Sequence, residues 1–351
     1  MKLQTIACAV FLCIAAHAPA QTWNFAVSGD SRNCGDIVMP AIADDVKKND
    51  AQFYWHMGDF RAIYAIDEDI SQRATGGHPS STGAYQRFAW RDAIDNQIKP
   101  FGDLPFFAGI GNHETIPPMT RDQFRKVFAK WLDAPPLRDQ RKQDGFGSKD
   151  STFYHWHQQG VDFIYLDNAS EHEFDPEQME WLHKVLDADS KDDSIKAVVV
   201  GMHAALPNSL AAGHSMNNWK TGEDSGDEVY KALLSIQNDA KKHVYVLASH
   251  SHFYMKNIFQ TDYWESNGGV LPGWIVGTSG AHRYKLPPDA NKAGDAKTNV
   301  YGYLLATVHD DGKIDFKFKE IKESAIPQEV ESRFGTGLVH WCFEANSDQR
   351  R

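Results

Sequence analysis

The sequence predicts an α/β fold, on three observations. The first is a pair of strand-like runs, residues 23–29 and 52–57, separated by helical periodicity and each closed by Gly-Asp. This is a βαβ unit, and a parallel pair joined in that way puts Asp30 and Asp59 at one edge of a sheet. The second is two continuous apolar runs, 195–200 and 243–248, of the kind buried on both faces of a sheet. The third is a C-terminal third in which strand-like segments (274–276, 301–308 and 313–319) alternate with Gly/Pro turns. These read as antiparallel strands completing a second sheet.

The chain has 351 residues, 42% hydrophobic and 24% charged, with no linker-like shift in composition and no internal repeat. Residues 21–351 are therefore read as a single domain. Residues 1–20 carry one lysine, then an apolar run through Val10, Phe11, Leu12 and Ile14, and close on Ala18-Pro19-Ala20. That is the pattern of a secretory signal peptide. No other segment has the roughly twenty apolar residues that a membrane span needs. The mature protein is expected to be soluble and exported, periplasmic or secreted. Loss of Lys2 with the signal takes the formal charge from −11 to −12. An acidic chain without a basic block argues against nucleic acid held by phosphate contacts. It is compatible with a small phosphorylated substrate, because metal ions can bring the positive charge. Cys34 and Cys342 outlast the signal and are a candidate disulfide; sequence alone leaves their pairing open.

Taken in order, Asp36 reads as the N-cap of a helix with apolar positions Ile37, Val38, Ala41, Ile42 and Val46 and with Pro40 in or near its first turn. Residues 67–82 are polar and rich in Gly, Pro and Ser, a surface insertion bordering the strand ends. A helix over 85–98 leads to an apolar strand over 104–110, which opens at Gly111 into Asn112, His113 and Glu114. Phe124, Val127, Phe128, Trp131 and Leu132 share one helical face and read as core. Residues 135–149 read as a charged loop. Residues 152–157 and 161–166 form a hairpin about Gln158-Gln159-Gly160. His155 and His157 share a face of its first strand and, with nothing acidic flanking them, are taken as structural. Asp175-Pro176 starts a helix through Met179, Leu182, Val185 and Leu186. A polar loop over 208–226 precedes a helix to about residue 240.

Five predicted strands end in ligand-type residues: Asp30; Asp59; Asn112 with His113; His203; and His250 with His252. Any one of 16 histidines is more often an ordinary surface or core residue, but each of these falls just after an apolar run. Carboxylate, imidazole and amide oxygen together suit Zn, Fe or Mn. There are about twice as many as one tetrahedral ion needs, as expected for two metals sharing a carboxylate.

The order of these blocks resembles the calcineurin-like metallophosphoesterase superfamily, nearest its purple acid phosphatase-like branch, over about residues 24–254. The resemblance implies a sandwich of two mixed β-sheets flanked by helices. It implies that Asp59 bridges two divalent or trivalent metal ions (Fe, Zn or Mn), with Asp30 and His252 on the first and Asn112, His203 and His250 on the second. His113 matches the family histidine that contacts the phosphoryl group and assists the leaving oxygen. Such a site would act through metal-bound hydroxide, with an imidazole as proton donor. The pattern departs from the family in places. Arg32 stands where most of the superfamily has the histidine of Asp-x-His. Ala62 stands where the acid phosphatase branch has a tyrosine, and Tyr64 is the nearest tyrosine. Ser249 stands before His250 where glycine is usual, while Tyr254 matches the acid phosphatase branch. Tyr64 and Arg32 are candidates for metal or substrate contact, and a surface salt bridge is the alternative for Arg32. The expected activity is hydrolysis of phosphate monoesters. The alternatives are a phosphodiesterase, if loops 67–82 and 208–226 form an open groove, and a metal-bearing binding protein without turnover.

Overall fold

The computed structural model describes residues 22–348 except 75–80, 150, 171 and 212. The expected signal peptide and part of the expected insertion, residues 75–80, lie outside the described residues.

Among the described residues, twelve strands form two sheets. The first contains β1 (Trp23–Ser28), β2 (Ala51–His56), β3 (Phe106–Ala108), β11 (Tyr301–Val308) and β12 (Ile314–Ile321), in the order β12-β11-β1-β2-β3. The second contains β4 (Tyr154–Gln158), β5 (Val161–Leu166), β6 (Ala197–Met202), β7 (His243–Ala248), β8 (Tyr254–Lys256), β9 (Gly273–Val276) and β10 (Ala296–Lys297), in the order β10-β8-β9-β7-β6-β5-β4. Both sheets are mixed: β1, β2 and β3 are parallel and β11 joins β1 antiparallel. Likewise β5, β6, β7 and β9 are parallel and β4 and β8 are antiparallel.

The period-two alternation of strands explains the layering. Phe25, Phe53 and Phe107 point from the first sheet into an aromatic layer with Trp156 and Phe163 of the second. Phe107 stacks on Trp156 at 3.9 Å, and Phe53 meets Phe163 edge-on at 5.1 Å. Such pairs each add about 0.5–1.5 kcal/mol beyond the area they bury. On the outer faces, helix Gly35–Lys48 covers the first sheet, and helices Pro176–Lys191 and Lys220–Asn238 cover the second. The result is the helix-flanked two-sheet sandwich expected. Among the described residues no helix is long and apolar enough to cross a membrane.

Several elements differ from expectation, each for a local reason. The hairpin 301–308 and 314–321 extends the first sheet, because β11 pairs with β1, whereas β9 runs parallel to β7 inside the second. Residues 135–144 are a helix, not a loop. Two prolines open its first turn, where their missing N–H groups cost least, and Gly145 (φ 73°) closes it. The expected helix 85–98 is broken into Thr82–Gln86, Ala89–Ala93 and a π-turn over Ile94–Ile98. That wide turn lets the successive residues Asn96 and Gln97 both donate to Asp36. Cys34, not Asp36, caps the helix Gly35–Lys48, and Pro40 lies inside it. Asp36 is instead buried against Arg61. Residues 220–226, read as loop, already belong to helix Lys220–Asn238. Gly226 is there because Pro207 packs so close that a Cβ would lie 2.5 Å from its Cδ. The segment beginning at Asp67 is no simple surface insertion: Asp67 and Asp69 are fully buried, and residues 68–74 are helical. Val127 is 41% exposed, unlike its expected core partners Phe124, Phe128 and Leu132. His155 and His157 do have acidic neighbours, namely Asp144, Asp162 and Asp189, all distant in sequence or across the hairpin.

Cys34 and Cys342 form a disulfide with Cα atoms 6.1 Å apart and a sequence separation of 308. It ties the C-terminal helix Thr336–Glu344 to the loop that follows β1.

Candidate metal centre

The parallel registers align the C-terminal ends of the strands. Ser28 pairs beside His56 and His56 beside Ala108; Gly201 lies beside Leu247. The loops leaving those ends turn sharply. Asp30 (φ 61°), Asp59 (φ 64°) and His250 (φ 63°) all adopt the left-handed conformation, at an order of 1–3 kcal/mol each. Surrounding hydrogen bonds hold them there. Asp30 N–H donates to Gly58 O at 2.9 Å and Ser31 N–H to Asp59 O at 2.9 Å. His250 N–H donates to Asp30 Oδ2 at 2.8 Å, which joins the two sheets at their ends. Glu114 accepts from Asp59 N–H, Phe60 N–H and Gly111 N–H at 2.8–2.9 Å. Gly111 admits no side chain, since a Cβ there would lie 2.2 Å from Asp59 Oδ1.

Two groups of side chains meet around Asp59. In the first, His203 Nδ1 lies 2.9 Å from Met57 O. Its proton is assigned there, which leaves Nε2 as a bare lone pair. That nitrogen lies 2.9 Å from Asn112 Oδ1, 3.4 Å from Asp59 Oδ1 and 3.1 Å from His250 Nδ1. An imidazole lone pair, an amide oxygen and a carboxylate oxygen thus converge with no proton to share between them, an arrangement that a cation relieves. Asp59, His203 and His250 have the spacing of a metal-ligand set.

The second group is Asp30, Asp59 and His252, which also has ligand spacing. His252 Nδ1 donates to His282 O at 2.6 Å and presents Nε2 to Asp30 Oδ1 at 3.2 Å. Burial, with Arg32 beside it, holds the His252 pKa well below the usual imidazole range, and Nε2 accepts from Arg32 Nη2 at 3.3 Å. Asp30 Oδ1 and Asp59 Oδ2 are buried and accept no hydrogen bond. Burial alone would raise the pKa of Asp59, but His113, His203, Arg32 and His250 outweigh it and hold the carboxyl below its ordinary range. Buried polar atoms left without partners cost on the order of 1–3 kcal/mol each, and ligation to a cation removes that cost.

His113 lies over Asp59. Its N–H donates to Asp59 Oδ1 at 3.0 Å, its Nδ1 donates to Ala62 O at 2.6 Å, and its Nε2 is 3.6 Å from Asp59 Oδ2. All seven strand-end residues expected at the site are therefore brought together.

Arg32 is 6% exposed and is not a surface residue. Its Nη2 is 3.3 Å from His252 Nε2 and donates to the Tyr284 hydroxyl at 3.2 Å, while Nη1 donates to the Tyr64 hydroxyl at 3.2 Å. Burial opposes its charge, but Asp59, Tyr284, Tyr64 and Asp30 overcome that and hold the guanidinium firmly protonated. Tyr64, 60% exposed, meets Arg32 and lies 5.3 Å from the His113 ring; it stands at the rim. Tyr254 is away from the cluster, its hydroxyl donating to Asp295 and its ring stacked on Phe318. Ser249 places its hydroxyl against His203 Nδ1 and Met57 O.

Sequence reasoning missed Tyr284, whose ring stacks on His252 at 4.0 Å, and His214, whose ring lies 5.2 Å from His250 and 5.1 Å from Tyr284. Both stand in loops without a preceding apolar run, so no strand-end signal marks them. The role of Glu114 was also missed, although it completes the Gly-Asn-His-Glu stretch.

No family model matches the chain, and no curated protein matches its sequence. Solved structures do. A purple acid phosphatase from yellow lupin (Lupinus luteus) seeds superposes with a TM-score of 0.56 at 16% identity, over 86% of this chain and 52% of that one. PhoD superposes with a TM-score of 0.52 at 12% identity, over 94% of this chain and 78% of that one. This chain thus spans about half the length of the lupin phosphatase. At these identities the likeness is one of fold: this chain has the fold of the lupin purple acid phosphatase and of PhoD.

Proposed function

We propose that the protein is a metal-dependent phosphoester hydrolase acting on small phosphate monoesters. The observation that carries this reading is the pair of ligand-spaced groups sharing Asp59, with the orphaned carboxylate oxygens of Asp30 and Asp59 among them. Asp59, Asn112, His203 and His250 would hold one metal ion, and Asp30, Asp59 and His252 a second. When bound, such ions neutralise phosphate oxygens and acidify the attacking water. The chain's own residues do the rest. Arg32 offers a fixed cation beside Asp30 and His252, suited to the extra charge of a monoester. His113, anchored through its Nδ1–H on Ala62 O, would deliver a proton from Nε2 to the leaving oxygen in its doubly protonated form, a form that burial opposes and the Asp59 carboxylate favours. Tyr64 and Tyr284 hold the guanidinium in place from either side.

We also propose that the protein works outside the cytosol, a reading supported by the Cys34–Cys342 disulfide. N-terminal sequencing of the mature chain tests this; a start at residue 1 overturns it.

The test of activity is hydrolysis of para-nitrophenyl phosphate against its bis-ester, with Mn, Zn or Fe, in wild type and His113→Ala, alongside metal content. Monoester turnover reduced more than about tenfold in the variant, with metal retained, is expected. Preference for the bis-ester means a phosphodiesterase. Metal without turnover of either ester overturns the enzymatic reading.

A further inference from the structure

A second set of metal-type ligands lies far from the strand ends just described. His155 and His157 project from one face of β4, the edge strand of the second sheet, and Asp162 stands at the beginning of β5, opposite His157 in the hairpin register. Asp189 reaches in from helix Pro176–Lys191 and Asp144 from helix Pro135–Asp144. Since β5 runs parallel to β6, and His203 follows the far end of β6, this cluster sits at the opposite end of the sheet from the candidate centre.

Its geometry admits ion pairs at His155 but leaves His157 without a hydrogen bond, as a shared ion would. His157 Nε2 is 3.7 Å from Asp162 Oδ2 and 3.5 Å from Asp189 Oδ1, too long for hydrogen bonds. His157 Nε2 and Asp189 Oδ2 are both buried and have no hydrogen-bond partner, and the Asp189 side chain is only 2% exposed. His155 Nδ1 is 3.0 Å from Asp162. Ligand atoms on one tetrahedral zinc-type ion, each about 2.0–2.1 Å from it, lie about 3.3 Å from one another, a value these distances straddle. His155 Nε2 meets Asp144 Oδ2 at 2.8 Å. A carboxylate on the second nitrogen is the usual partner of a metal-ligating histidine, and it sets the tautomer that leaves Nδ1 bare. Two protons on the imidazoles or one divalent cation would balance the same charge. Burial opposes the protons, but the facing carboxylates overcome it and raise the pKa of His155 to about 9 and of His157 to about 10. The His157 Nε2 and Asp189 Oδ2 atoms, which make no hydrogen bond, favour the cation.

We propose that His155 Nδ1, His157 Nε2 and Asp162, which have metal-ligand spacing, together with Asp189, 3.5 Å from His157, bind a zinc-class divalent cation that fastens β4 and β5 to helix Pro176–Lys191. The two nitrogen and two oxygen donors suit Zn and Co more than Mg or Ca. The role is structural, since four protein ligands leave no position open for substrate.

The test is metal content of the full chain loaded with Zn, in wild type, His157→Ala and the near-isosteric Asp189→Asn. Each variant is expected to lose about one equivalent per chain while keeping wild-type hydrolysis of an aryl phosphate. Cobalt loading provides a second readout. With Asp59→Asn and His203→Ala removing the other centre, the chain should still show tetrahedral Co(II) absorption, and adding Asp189→Asn should abolish it. Unchanged metal content in both variants, or no tetrahedral cobalt signal in that background, overturns the proposal and makes the cluster a set of protonated ion pairs. Neither outcome depends on whether the chain hydrolyses phosphate esters.

Discussion

The Glu114 carboxylate accepts the backbone N–H of Asp59 at 2.8 Å, and with its other bonds it also holds Phe60 and Gly111. One side chain thus ties the loop after β2 to the loop after β3. Burial and the Asp59 charge push the Glu114 pKa up, while its three N–H donors favour the ionised form. Glu114→Gln replaces one acceptor with a donor facing an N–H group. Metal affinity is expected to fall about 10–100-fold, read by competition with a chelating dye, with the fold retained by circular dichroism. Unchanged affinity would show that the loop geometry does not need Glu114.

Arg32 tests the preference for monoesters. A guanidinium fork and an ammonium are not equivalent where two hydroxyls hold the fork in plane. Arg32→Lys and Arg32→Ala are expected to weaken inhibition by inorganic phosphate about 10–100-fold, the equivalent of about 1.5–3 kcal/mol for charged hydrogen bonds. Hydrolysis of a bis-ester should be affected less. Equal losses on both esters would place Arg32 in the scaffold rather than against the phosphate.

The Cys34–Cys342 bridge closes most of the chain into one loop. Removing it with Cys34→Ser and Cys342→Ser together is expected to cost about 2–5 kcal/mol, chiefly by freeing the unfolded chain. Urea unfolding measures this. Because the bridge anchors the loop that carries Asp30 and Arg32, the variant should also bind metal more weakly.

His56 is fully buried beneath this loop, its Nδ1 accepting from Gly58 N–H and its Nε2 3.0 Å from Ser31 Oγ. Burial, only partly opposed by Asp59, lowers its pKa to about 3. The folded value lies below the unfolded one, so the native state refuses a proton that the unfolded chain accepts. Stability from this residue is therefore complete above pH ~6.5 and is lost as pH falls below that value, by about 1.4 kcal/mol per pH unit down to pH ~3. His56→Phe, whose ring can keep the 4.0 Å stack on Phe60, should flatten the loss of stability between pH 6 and pH 4. Equal slopes in denaturant titrations of the two proteins would show that His56 is protonated in the native state.

Much of this was legible in the chain. The apolar runs before Asp30, Asp59, Asn112, His203 and His250 marked strand ends, because burial on both faces demands continuous apolar residues. Local punctuation was less legible. The helix Pro135–Asp144 carries a single large apolar residue, Leu137, and so lacks an amphipathic stripe. The break within 85–98 serves a distant acceptor, Asp36, that no local pattern announces.

By itself the sequence determined which residues end the strands and their order, and so the α/β class and the gathering of carboxylate, amide and imidazole side chains at the strand ends. These follow from periodicity and the direction of parallel strands, which are properties of neighbouring residues. Only the tertiary structure decided what meets across the fold: Tyr284 on His252, Arg32 buried between two tyrosines, Cys34 bonded to Cys342, and Asp189 beside His157. Those contacts join residues far apart in the chain, and their partners are fixed by how sheets and helices pack, which no local pattern encodes.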